Sequence, residues 1–143
     1  MTTTRIDRVL QIVLALTLLA AGALKIVDPR AFAVSVARVG VPSWSVGPLA
    51  ILLPWLEVTV AVALLGTRRY RDAAEWLALG MLLVFTATLW RTESCGCFGS
   101  SISWMNHPAV GLARNAVLIA IAAWLIARRR KTTSGRSGPA SPA

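Results

Sequence analysis

Four long apolar segments dominate the sequence and constrain its fold more than any other feature. They cover residues 9–27, 46–65, 73–90 and 108–127. Each is near the roughly 20 residues that a helix needs to cross a hydrocarbon core of about 30 Å. Because lipid offers no partner to backbone N–H and C=O groups, such segments must be helical. The sequence therefore predicts an all-α integral membrane protein, a bundle of four transmembrane helices.

The charged residues favour a membrane over nucleic acid as the partner of the chain. Of the 143 residues, 56% are apolar and 15% are charged, whereas soluble domains carry about 25% charged residues. The formal net charge is +9, but the basic residues form short clusters between apolar segments, as topology determinants do. We expect contact with the lipid bilayer and none with nucleic acid.

The basic clusters also predict the orientation of the helices. One side of the membrane receives Arg5, Arg8, Arg68, Arg69, Arg71, Arg128, Arg129, Arg130, Lys131 and Arg136. The other side receives only Arg30, Arg38 and Arg91. Because Lys and Arg are enriched in cytoplasmic loops, both termini are expected in the cytoplasm.

The N-terminus also allows a second interpretation. Arg5 and Arg8, an apolar run and then Ala21-Gly22-Ala23 resemble a cleavable signal peptide. The run is somewhat long for a signal, and cleavage would leave the orientation of the other three segments unchanged.

A short interfacial helix is predicted between the first two segments, on the outer side. Asp28 is suited to cap its N-terminus, and Pro29 is suited to its first turn. The helix is expected to end near Gly40. The side chains expected to face the membrane are those of Ala31, Phe32, Val34 and Val36.

The chain is expected to form one transmembrane domain, residues 1–131, followed by a cytoplasmic tail, residues 132–143. The tail is rich in Ser, Gly and Pro, and such a composition predicts disorder.

Tryptophans mark the predicted membrane boundaries, because indole rings favour the interface. The outer ends carry Trp44, Trp90 and Trp104, and the inner ends carry Trp76 and Trp124. Trp55 lies deep in the second segment and is expected to pack in the core of the bundle.

The loop before the fourth segment holds the only two cysteines, Cys95 and Cys97. The predicted topology places them outside, where disulfides persist. A bridge between cysteines two residues apart requires a tight, strained turn, which Gly96 permits. A strained, exposed bridge is easily reduced and closes too short a loop to add much stability. The pattern favours a redox role for this pair.

Other hypotheses for the cysteines remain open. They could be unpaired small hydrophobic residues in a turn or an inert local bridge. With His107 they could bind a metal, although the spacing matches no known zinc module, and we assign no metal ligands.

Three charged residues lie within the apolar segments: Lys25, Glu57 and Arg114. An unpaired charge there costs several kcal/mol, so Glu57 is expected to pair with Arg114 or Lys25. Lys25 could instead snorkel to the surface, and the pair could serve only to fix helix register. In a functional role, the cations would favour a cysteine thiolate. Glu75, near the inner end of the third segment, is expected to be a solvated boundary residue.

The motifs together resemble those of the MauE family of methylamine-utilisation proteins, which are DoxX-like. The similarity rests on Gly22, Lys25, Asp28-Pro29 and Phe32, on Leu53-Pro54-Trp55-Leu56-Glu57, on Cys95-Gly96-Cys97-Phe98-Gly99 and on Arg114-Asn115. The most specific part is the run from Cys95 to Gly99, which includes Phe98. The resemblance extends over about residues 8–127 and implies a four-helix protein of the bacterial inner membrane.

The resemblance also implies a function in maturing disulfide-containing exported proteins, such as the small subunit of methylamine dehydrogenase. Cys95 and Cys97 would then cycle between dithiol and disulfide, which makes a thiol-disulfide oxidoreductase activity the leading hypothesis. A single pair requires a partner, either a thioredoxin-like or DsbA-like exported protein or a quinone cofactor. Two alternatives are a transport or assembly subunit with structural cysteines and a metal-handling membrane protein.

Overall fold

A computed structural model describes residues 5–66, 68–89 and 108–134 of the protein. These residues form five helices: α1 (Arg5–Val27), α2 (Pro29–Arg38), α3 (Ser43–Leu65), α4 (Arg68–Leu89) and α5 (Pro108–Ser134). The segment with Cys95, Cys97 and His107 lies outside the described residues, as do Trp90 and Trp104. The predictions made for it remain predictions.

Four of the helices, α1, α3, α4 and α5, are long and apolar enough to cross a membrane. This confirms the predicted fold class. The helices extend past the apolar segments at the end of the bundle where α1 begins and α5 ends, which we call the basic end. There α1 begins at Arg5, and α5 continues to Ser134, three residues into the segment assigned to the tail. Polar residues can continue a helix once it has left the hydrocarbon.

The four long helices form a closed ring in the order α1, α3, α4, α5, with each helix packed against two neighbours. Their core consists of interlocking Leu and Ala side chains, with Val60 and Met81 between them. It contains Leu14, Ala15, Leu18, Val60, Ala61, Leu64, Ala74, Ala78, Met81, Leu82, Leu118, Ala122 and Leu125. The small residues let the backbones approach closely, which is how helices associate where lipid removes the hydrophobic driving force.

The packing of α1 against α3 is closest at Gly22. A Cβ atom built there would lie 3.0 Å from the Pro54 carbonyl oxygen and 3.0 Å from Val58 Cγ2. Pro54 is buried and lacks the N–H that would bond the carbonyl one turn earlier. Only glycine fits at position 22 without displacing α3, and this contact sets the distance between Lys25 on α1 and Glu57 on α3.

Helix α2 lies at the opposite end of the bundle, which we call the α2 end, and packs on α3 and α1. The Asp28 carboxylate accepts a hydrogen bond from Ala31 N–H at 3.1 Å, and Pro29 occupies the first turn. Gly40, with a φ of 86°, follows the end of the helix. These features confirm the predicted helix and its caps.

The prediction that Phe32 and Val36 of α2 face the membrane is wrong. Phe32 and Val36 are each 7% exposed and pack with Ala50 of α3. They are four residues apart, so they share one face of the helix, and that face turns toward the bundle. Val34, on another face, is 53% exposed.

Trp55 does not pack in the core, contrary to our expectation. It is 57% exposed, because the buried face of α3 passes through Pro54 and Glu57 instead. In the membrane its indole ring therefore faces outward. Trp44, Trp76 and Trp124 are also at least half exposed, as expected of rings at membrane boundaries.

Ion pairs join α5 to its neighbours at the basic end. Arg128 pairs with Asp7 of α1 at 3.2 Å. Arg129 pairs with Asp72 and, at 2.7 Å, with Glu75, both on α4. Glu75 is 0% exposed, so the expectation that it is a solvated boundary residue is wrong. Arg129 reaches it across the interface between α4 and α5.

Candidate functional site

Lys25 and Glu57 form an ion pair inside the bundle, between α1 and α3. The Lys25 ammonium donates a hydrogen bond to Glu57 Oε1. The two residues are 2% and 1% exposed, respectively. The ion pair expected for Glu57 therefore forms with Lys25, and Lys25 does not snorkel to the surface.

Aromatic rings from two further helices surround the Lys25 ammonium. Its Nζ lies 5.0 Å from the ring centroid of Phe32 on α2 and 4.5 Å from that of Phe85 on α4. A cation within about 6 Å of an aromatic face is attracted by the ring quadrupole. One lysine thus joins four elements, because its own helix, the carboxylate of α3 and these two rings all meet at its ammonium.

Helix α5 contributes Arg114 and Asn115 on the side facing Glu57. Arg114 is half-buried and close enough to interact electrostatically with both Glu57 and Lys25. Its guanidinium donates to Asn115 Oδ1 at 3.3 Å, and the Asn115 amide donates to Thr86 Oγ1 of α4 at 3.3 Å. The polar contacts therefore connect all four long helices.

A small cavity of about 20 Å³ lies among these side chains. Its polar lining comprises Thr17, Lys25, Glu57, Arg114 and Asn115, and its apolar lining includes Leu18, Leu82, Phe85 and Leu118. About 10–15 Å³ is enough for one water molecule when polar partners are at hand. Glu57 Oε2 is buried without a hydrogen-bond partner among the described residues, so this cavity suits a water better than a larger molecule.

The site brings two cationic side chains close to one carboxylate. Lys25 pairs with Glu57, and Arg114 lines the same cavity. A cation in a low-dielectric region attracts an anion that comes within reach. The site could therefore hold the helices in register and also favour a negative charge nearby.

Sequence reasoning found the three charged residues of this site but not its neutral members. From the sequence, Asn115 is recognised only as part of the Arg114-Asn115 motif. A polar residue beside Arg114 in an apolar helix is nevertheless a signal of an intramembrane polar site. The positions of Phe85 and Thr86 carried no signal, since aromatic residues and threonines are common in such helices. Lys25, Glu57 and Arg114 are brought together, whereas Cys95, Gly96, Cys97, Phe98 and Gly99 lie outside the described residues.

Four membrane-crossing helices around a buried ion pair define a small multi-pass membrane protein with an intramembrane polar site. The chain belongs to the family described as methylamine utilisation protein MauE, whose family model matches residues 3–128. The match covers all four long helices except the C-terminal end of α5. No curated protein and no solved structure gives a significant match to the chain.

Proposed function

We propose that the protein is a thiol-disulfide redox component of the bacterial inner membrane that supports maturation of disulfide-containing exported proteins. The observation that carries the proposal is the presence of two cationic side chains, Lys25 and Arg114, at one buried polar site in a chain of the MauE family. The client would be an exported protein of methylamine metabolism or one with similar disulfides.

Chain connectivity supports a link between these cations and the cysteines. The segment that holds Cys95 and Cys97 leaves α4 after Leu89 and enters α5 at Pro108. Both of these helix ends lie at the α2 end of the bundle, and Lys25 lies in the last turn of α1 at the same end. A nearby cation favours the thiolate over the thiol, and the thiolate is the reactive form.

The proposed reaction conserves electrons within each exchange. A thiolate attacks one sulfur of a disulfide, forms a mixed disulfide and releases the other sulfur as a thiolate. A second thiol then resolves the mixed disulfide, so that one dithiol is oxidised while one disulfide is reduced. A thioredoxin-like or DsbA-like exported protein, or a quinone, would return the Cys95–Cys97 pair to its starting state. The pair would face the extracytoplasmic side, with both chain termini in the cytoplasm.

Thiol trapping in intact cells tests the proposal. A membrane-impermeant maleimide should label Cys95 and Cys97 only after mild reduction, and a Cys97→Ser variant should accumulate a mixed disulfide with its partner. Labelling without reductant, or only after cell lysis, would contradict the proposal. The cysteine-free double variant serves as the control for background labelling.

A transport or assembly role is the alternative, in which the cysteines are structural and the charges line a substrate path. The cavity among those charges, about 20 Å³, is small for such a path. A Cys95→Ser, Cys97→Ser double variant that still supports full maturation of the client would favour this alternative. Metal analysis of the purified protein tests the metal-handling hypothesis, which a bound metal ion would favour.

A further inference from the structure

We propose that a pocket between α4 and α5 at the basic end binds the headgroup of a zwitterionic phospholipid, with the headgroup's primary ammonium at Glu75 and its phosphate at Arg130. This pocket is separate from the Lys25–Glu57 site and does not depend on the redox proposal. Its volume is about 320 Å³, which is within the range of about 300–1,000 Å³ for small-ligand sites.

Two carboxylates from α4 line the pocket. Asp72 and Glu75 both pair with Arg129, so two carboxylates share one guanidinium. Glu75 is 0% exposed, and its Oε2 has no hydrogen-bond partner among the described residues. A buried carboxylate oxygen without a donor is costly, and an ammonium group would supply that donor. Arg71, which also acts on Glu75 electrostatically, donates to the Gly66 carbonyl oxygen at 3.0 Å and does not line the pocket.

Arg130 of α5 adds a cationic group to the lining of the pocket. The Arg130 guanidinium lies 5.1 Å from the ring centroid of Trp76, a cation–π contact that orients it while it stays exposed. Arginine is well suited to phosphate because its planar donors match two phosphate oxygens. The lining of the pocket therefore includes carboxylates from α4 and the Arg130 guanidinium from α5, which suits a molecule that bears an ammonium and a phosphate together.

The location of the pocket favours a lipid over a soluble zwitterion. Trp76 is 50% exposed in the part of α4 nearer the basic end, and indole rings favour the level of the headgroups. Ile126 adds an apolar wall that suits the glycerol and acyl part of a lipid. Basic pockets between transmembrane helices at this level are known to bind lipid headgroups. Glu75 disfavours a purely anionic headgroup, because its carboxylate would repel it.

A lipid-dependent stability measurement tests the assignment. The full chain is purified in detergent micelles and doped with phosphatidylethanolamine, phosphatidylcholine or phosphatidylglycerol of identical acyl chains. Phosphatidylethanolamine should raise the Tm most and should be retained in native mass spectra, because the trimethylated choline group cannot donate hydrogen bonds to Glu75. Equal shifts from all three lipids would overturn the proposal.

Variants of the pocket residues test whether the lipid-dependent rise in Tm arises at this pocket. Glu75→Gln should abolish the preference for phosphatidylethanolamine over phosphatidylcholine. Asp7→Asn is the matched control, since Asp7 belongs to the same end of the bundle but does not line the pocket, and it should keep the preference. If Glu75→Gln does not fold, Arg130→Gln, at an exposed position, should weaken retention of phosphatidylethanolamine. A preference that survives the pocket variants would overturn the proposal, as would a larger shift from free O-phosphoethanolamine than from the lipid.

Discussion

Removal of one partner from the Lys25–Glu57 ion pair should destabilise the bundle unequally, depending on which partner is removed. Both side chains are at most 2% exposed, and loss of one partner of a buried pair costs about 3–5 kcal/mol. Glu57→Gln leaves the Lys25 ammonium without its carboxylate partner and close to the Arg114 guanidinium. Lys25→Met leaves Glu57 still facing Arg114. We therefore expect the free energy of unfolding to fall by about 5 kcal/mol in Glu57→Gln and by about 3 kcal/mol in Lys25→Met, the two ends of that range.

The double variant measures the interaction itself. Lys25→Met combined with Glu57→Gln removes both charges of the pair. Its loss of stability should therefore be smaller than the sum of the single losses by about 0.5–3 kcal/mol, which is typical of residues in direct contact. The free energy of unfolding in mixed detergent micelles, or by steric trapping in bilayers, gives all three values. Thr59→Val, on the exposed face of the same helix, is the control and should change stability by less than about 0.5 kcal/mol.

Two outcomes would refute this reasoning. If the stability loss of the double variant equals the sum of the losses of the two single variants, Lys25 and Glu57 do not stabilise one another. If Lys25→Met is as damaging as Glu57→Gln, then Arg114 does not compensate for the missing lysine, and the picture of one carboxylate shared by two cations is wrong.

Two further predictions concern the elements that position the site. Gly22→Ala should destabilise the protein by about 1–3 kcal/mol, the usual penalty of overpacking, because the new Cβ meets the Pro54 carbonyl oxygen. Thermal unfolding checks this, with Gly80→Ala as the control, since a Cβ at Gly80 meets nothing within 4 Å; equal effects at both positions would contradict the close contact. Asp28→Ala should lose the N-cap of α2, worth about 1 kcal/mol, and should speed hydrogen exchange at Ala31, whereas Asp28→Asn should preserve protection. Unchanged exchange in Asp28→Ala would show that the cap contributes little.

The sequence by itself determined the number of spanning helices and the local structure of α2. Lipid leaves an isolated backbone no alternative to the helix, so apolar length is sufficient to find each span. Asp28, Pro29 and Gly40 act within one turn of their own positions, so their effect can also be predicted without tertiary structure. The need for Glu57 to find a cationic partner followed from the cost of burying a charge.

Only the tertiary structure decided which cation that partner is and which side chains face inward. Hydropathy does not indicate the rotation of a helix that is apolar on nearly all sides, such as α3, so it gives no sign that Trp55 faces outward. The burial of Glu75 depends on Arg129 reaching across from α5, a contact between residues far apart in sequence. The choice of Lys25 over Arg114 depends on the close approach of α1 and α3 at Gly22, and packing between helices, not the order of residues along any one of them, sets that distance.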